Sequence, residues 1–122
     1  MSWSGSFTNE AFAGPGAYQA KNGVRCFVDM RTTPGPVVIN APASPQDHQS
    51  FVISWDNPDH ELLSFASAED FENPVSLERE IVSGASLDFA HGTVAFTFIG
   101  GTWEIFDWSL FGVALNTTFA IG

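Results

Sequence analysis

Nowhere in this chain does an apolar residue recur for long at the 3.6-residue spacing of a helix. Apolar residues alternate with polar ones in short runs instead, and turn-forming residues cut each run off after about eight to twelve positions. In "GVRCFVDMR", Val24, Cys26, Val28 and Met30 point one way and Arg25, Asp29 and Arg31 the other, while Phe27 breaks the alternation on the polar side. Such a run is a strand with one face buried, because successive side chains leave a strand on opposite sides. The chain therefore reads as all-β.

The same reading covers most of the sequence. "SWSGSF" is a short first strand before the turn "AGPGA", "PVVIN" and "SFVISW" are strands on either side of "APASPQD", and "LLSFAS" follows the turn "DNPDHE". Only "SAEDFEN" suits a helical turn, with Ser67 as cap and Glu69 and Asp70 at the positive end. "VSLEREIV" favours a strand. From residue 85 onward the pattern is a meander with expected turns at His91 and Gly92, at Gly100 and Gly101, and at Gly112, closed by "VALNTTFAI" lying beside the first strand. In "TVAFTFI" one face is apolar; in "TWEIFDWSLF" both are, with Trp103, Ile105 and Phe111 on one side and Phe106, Trp108 and Leu110 on the other. A doubly apolar strand is either covered on both sides or carries a binding surface opposite its core face. The expected architecture is an antiparallel β-sandwich, with a jelly-roll order as one form of it, of about eight or nine strands. A small closed β-barrel is the alternative, since both arrangements protect strand edges.

A chain of 122 residues is long enough to bury one core, and residues 1–122 read as a single β domain with no linker, repeat or low-complexity tract. Twelve phenylalanines and four tryptophans supply ample apolar surface to offset the entropy of ordering. The one cysteine, Cys26, excludes an intramolecular disulfide and reads as a buried thiol. The start "MSWSGSFTNE" has neither a basic leader nor an apolar run, and no stretch has the length of a membrane span. A soluble, cytoplasmic product is expected, with export by another route left open. The net charge of −10 argues against nucleic acid, whose phosphates are bound by Lys and Arg. Ten of the fourteen carboxylates lie between Asp47 and Asp88, opposed there only by Arg79, which suits solubility, a cation or a basic protein partner.

Two groups of residues invite a chemical reading. "WDNPDHE" places Asp56, Asp59, His60 and Glu61 around one turn; Asp56, Asp59 and Glu61 are candidate oxygen ligands for calcium, although the glycine and alternate acids of a calcium loop are missing. No other cofactor is implied: His48, His60 and His91 are scattered, and no phosphate loop, dinucleotide fingerprint or nucleophile elbow occurs. The second group is aromatic. Trp55, Trp103 and Trp108 can stack on sugar rings while Glu104 and Asp107 bind hydroxyl groups. Glu104 and Asp107, three residues apart, fall on opposite faces of a regular strand and share a face only across a bulge.

The run "GTVAFTFIGGTWEIF", a phenylalanine-rich strand, a glycine turn and a second apolar strand, resembles a stretch of galactose-binding-like jelly-roll domains. Gly101 and the acidic middle of the chain depart from that pattern. The resemblance implies a jelly-roll order. The expected function is a non-catalytic, lectin-like module that binds a carbohydrate or other small ligand through aromatic residues. An acidic inhibitor or immunity-type protein covering a basic partner, and a small barrel enzyme using Glu104 or Asp107 as acid or base, are the alternatives. A doubly apolar strand also permits a homo-oligomer.

Overall fold

In the computed structural model, residues 7–59, 61–72, 79–81, 85–86 and 89–113 are described. They form eleven strands: β1 (Thr8–Ala13), β2 (Gly16–Gln19), β3 (Val24–Asp29), β4 (Val37–Asn40), β5 (Ser50–Asp56), β6 (Leu63–Ala66), β7 (Asp70–Glu72), β8 (Arg79–Ile81), β9 (Ala85–Ser86), β10 (Phe89–Ile99) and β11 (Thr102–Val113). No helix occurs among the described residues, so the all-β expectation holds. One sheet has the order β1-β3-β5-β10-β11-β7-β8 and the other β2-β4-β6-β9. Neither closes on itself among the described residues, which removes the barrel alternative.

The strands do not run antiparallel throughout, as the sequence reading expected. β1, β3 and β5 are mutually parallel in the first sheet, and β2, β4 and β6 are mutually parallel in the second. The reason lies in the turns. Gly14 and Pro15 end β1 without folding it back on itself, and the chain crosses to the opposite sheet before returning. Each return starts again at the same end, so the chain winds as a flattened coil of three turns, β1–β2, β3–β4 and β5–β6.

Parallel winding stacks corresponding residues into rows. Phe12, Val28 and Trp55 form one row of the first sheet, and Tyr18, Ile39 and Phe65 form one row of the second. These rows belong to a single buried cluster fed by both sheets. Phe51 stacks on Phe96 with centroids 5.3 Å apart, and Trp103 meets Phe51 edge-on at 4.9 Å. Phe65 of the second sheet reaches Phe96 of the first at 5.9 Å and so ties the layers together. Each such ring removed from water contributes roughly 1.5–3 kcal/mol.

The first turn of the coil ends the core with charge. Glu10, in the row of Cys26 and Ile53, accepts a hydrogen bond from the Tyr18 hydroxyl at 2.8 Å and from Lys21 Nζ at 2.9 Å. The ammonium of Lys21, then the Tyr18 hydroxyl, holds the Glu10 carboxyl below its ordinary range. An inward-facing charge on a terminal strand is a known device against edge-to-edge pairing.

Beyond β6 the pairing turns antiparallel. β10 lies against β5 and folds back through Gly100 and Gly101 into β11. Both glycines have positive φ, 60° and 88°, as a two-residue hairpin turn of right-handed twist demands. The expected turns at His91–Gly92 and at Gly112 do not form, because β10 and β11 run straight through them. The expected helical turn at Ser67 is replaced by strand β7; the Ser67 hydroxyl instead accepts the Glu69 N–H at 3.0 Å, a local bond that serves a turn as readily as a cap. The expected first strand at "SWSGSF" and last strand at "VALNTTFAI" lie essentially outside the described residues.

Candidate functional site

With Cys26 and Val28 in the core, the alternation of β3 turns Arg25, Phe27 and Asp29 to the outer face of the first sheet. The ladders set three rows there: Arg25, Val52 and Ala95; Phe27, Ser54 and Thr93; Asp29, Asp56 and His91. In the first row Val52 and Ala95 are fully buried, whereas Arg25 is exposed. In the second row the Ser54 and Thr93 hydroxyls lie 2.9 Å apart. Phe27 remains 39% exposed, one of few large apolar side chains on the described surface. A cleft of about 500 Å3 opens across these rows, lined by Arg25, Phe27, Ser54, Asp56, His91 and Thr93.

Arg31, just past β3, organises one end of the cleft. Its Nε and Nη2 donate to the two carboxylate oxygens of Asp29 at 3.0 and 2.9 Å, its backbone N–H donates to Asp29 Oδ1 at 3.0 Å, and Nη1 stands 3.5 Å from Asp56 Oδ2. The guanidinium and backbone N–H of Arg31 hold the Asp29 carboxyl down at about 2. The same guanidinium lies 5.9 Å from the centre of the Phe27 ring, within cation–π range. Arg31 thus stands at the exposed phenyl ring of the cleft, and Arg25 lines the same cleft two residues before Phe27 on β3.

The residues singled out from the sequence fall elsewhere or in altered roles. Trp55 and Trp103 are core residues, 2% and 0% exposed, and present no stacking face to solvent. Trp55 reaches the cleft only from beneath. Trp108 sits across the ladder from Val94, and its side chain lies outside those described. Glu104 and Asp107 share a face after all: Ile105 pairs with Phe96 and Asp107 with Ala95, so Phe106 is the extra residue of a β-bulge. Both carboxylates are thereby set on the outer side, opposite Thr97 and Ala95, three strands away from β3.

The acidic turn is built differently from a calcium loop. Asn57 is fully buried; its side-chain Nδ2 donates to the Glu61 carbonyl at 2.7 Å, and its Oδ1 accepts the Glu61 N–H at 2.9 Å. That clamp leaves Asp59 exposed, while Asp56 faces Arg31. No three His, Cys, Asp or Glu residues converge as metal ligands among the described residues, and His60 lies outside them. Much of the acidic stretch up to Asp88 also lies outside the described residues. A second cavity, of about 590 Å3 at the end of β4 and β6, is lined chiefly by alanines with Pro42, Ser67 and Glu69 and offers no aromatic surface.

The site therefore centres on Phe27, Arg25, Arg31, Asp56 and His91. One signal for it was present in the sequence: Phe27 is the apolar residue that interrupts the polar face of "GVRCFVDMR". No protein-family model and no curated protein matches the chain. Among the described residues no helix is long and apolar enough to cross a membrane.

Proposed function

We propose that the chain is a non-catalytic binding module for carbohydrate, and that the sugar lies in the cleft over β3, β5 and β10. The observation that supports this reading is the exposed ring of Phe27 set beside hydroxyl, carboxylate and imidazole groups in adjacent rows. An aromatic face covers the apolar C–H side of a sugar ring, and short polar side chains around it bond the hydroxyls. Asp56 accepts from such hydroxyls; Ser54 and Thr93 both donate and accept. The strands that carry these groups are packed on the core, so the site is formed in advance of binding.

The experiment is a glycan array followed by titration calorimetry on the hits, with Phe27→Ala and Asp56→Asn as variants. Binding that falls about tenfold or more in each variant supports the reading. Binding of a glycan at full strength by both variants overturns it.

A further inference from the structure

Resting on the carbohydrate reading, we infer that the ligand is a linear oligosaccharide, held along its interior as it crosses the strands, and not a single terminal sugar. The ladders put Ala11, Phe27, Ser54, Thr93 and Ser109 in one row across β1, β3, β5, β10 and β11. Cross-strand partners share a face, so all five lie on the outer side with Phe27. Apart from the Phe27 ring the row consists of short side chains, and its two ends, Ala11 and Ser109, are exposed. A pocket for a terminal sugar needs a wall at one end. Neither end residue of this row is large enough to supply one.

The flanking rows stand higher. On one side Arg25 and Asp107 end the row that contains Val52 and Ala95; on the other stand Asp29, Asp56 and His91. Val52 and Ala95 are wholly enclosed, while Ser54 and Thr93 still line the cleft. The middle row is thus the floor of a trough that runs across the strands. The flanking side chains serve as its walls by bulk alone, and Arg31 fixes Asp29 and Asp56 in one of them.

Neighbouring strands lie roughly 4.8 Å apart, so the row from Ala11 to Ser109 extends over roughly 19 Å. A pyranose in an extended chain of equatorial linkages takes up nearly the same length as one strand spacing. Successive sugars therefore fall on successive strands. One ring stacks on Phe27, and the next ones pass over Ser54 and Thr93. Those two hydroxyls share one hydrogen bond, which leaves one proton and the remaining lone pairs for the sugars.

The test uses the whole chain and linear glucan, mannan and xylan oligosaccharides with equatorial linkages, from the disaccharide to the hexasaccharide. Affinity is expected to rise by about tenfold or more between the disaccharide and the tetrasaccharide of the preferred series, and to level off once the trough is full. Ser109→Ile raises a wall at one end with a residue that suits a strand. That variant should lose the gain with length yet keep the disaccharide affinity, which shows that the site around Phe27 is intact. Ala11→Ile should do the same from the other end. A disaccharide bound as tightly as the longer chains, or a gain with length that survives in both variants, overturns the inference and leaves the carbohydrate reading standing. Failure of every linear chain, while the glycan array gives a ligand sensitive to Phe27→Ala, does the same. Failure of the linear chains together with a blank array overturns both.

Discussion

Trp55 stands directly across the β5–β10 ladder from Gly92, and the far edge of its indole occupies the space that a side chain at Gly92 would take. A methyl group there would come within 2.9 Å of Trp55 Cζ2 and 2.7 Å of the Ser109 carbonyl oxygen. The carbonyl belongs to the β11 backbone and cannot rotate away. Gly92→Ala is therefore expected to lower stability by about 1–3 kcal/mol, as overpacking of a tight core does. Urea unfolding of Gly92→Ala, Trp55→Phe and the double variant checks this. The smaller Phe ring should relieve part of the clash, so a double-mutant cycle showing no coupling would contradict the packing described.

Cys26 is fully enclosed between β1 and β5, and burial pushes its thiol above the ordinary range. Only the thiolate reacts readily with disulfide reagents. The native protein should give no reaction with an aromatic disulfide over the minutes in which an exposed thiol is consumed. One full equivalent should react in denaturing urea. Prompt labelling of the native chain would mean that the first turn of the coil opens far more easily than its row of core contacts implies.

The sequence carried the faces of the strands well and their partners poorly. Val24 to Met30 show the contrast: side-chain alternation is a local property, and the buried set Cys26, Val28 and Met30 was legible in it. Which strand β3 would pair with depends on where the turns at Gly14 and at residues 31–36 send the chain, and those turns have the residue types of a hairpin. The antiparallel expectation failed there. The bulge at Phe106 was illegible for a related reason, since the surplus residue is defined only against the partner strand β10. The sequence does not say which rings face water: Trp55 and Trp103 read as stacking residues, but a large ring on the apolar side of an alternating strand belongs to the core, and the ring left exposed is that of Phe27 on the polar side.

Asp29 and Arg31 give the cleft an acid-sensitive end. Paired with Arg31, Asp29 titrates at about 2 rather than near 3.8. Because the folded value is the lower one, the pair favours the folded state above pH ~4, and this contribution is lost as pH falls from ~4 toward 2. NMR titration of the Asp29 carboxyl should show the low midpoint in the wild type and a return toward the ordinary range in Arg31→Gln. The stability difference between the two proteins should shrink across the same interval. A midpoint near 3.8 in the wild type would show that the fork is not kept in solution.

Phe106 offers a test of the ladder itself. On one side of it Glu104 and Ile105 pair with Thr97 and Phe96; on the other Asp107 and Trp108 pair with Ala95 and Val94. Deleting Phe106 removes the surplus residue and leaves both registers as they are, so the shortened chain should still fold cooperatively. Deleting Thr97 from β10 has the opposite effect, because a one-residue slip exchanges the two faces of a strand. The segment from Phe98 to Trp103 would then have to turn its two aromatic rings, which pack on each other, away from the core, or the hairpin would have to re-pair. Thermal melts and limited proteolysis of the two deletion variants should separate them widely, with the Phe106 deletion the more stable. Equal damage from both would show that the bulge is not where the ladder places it.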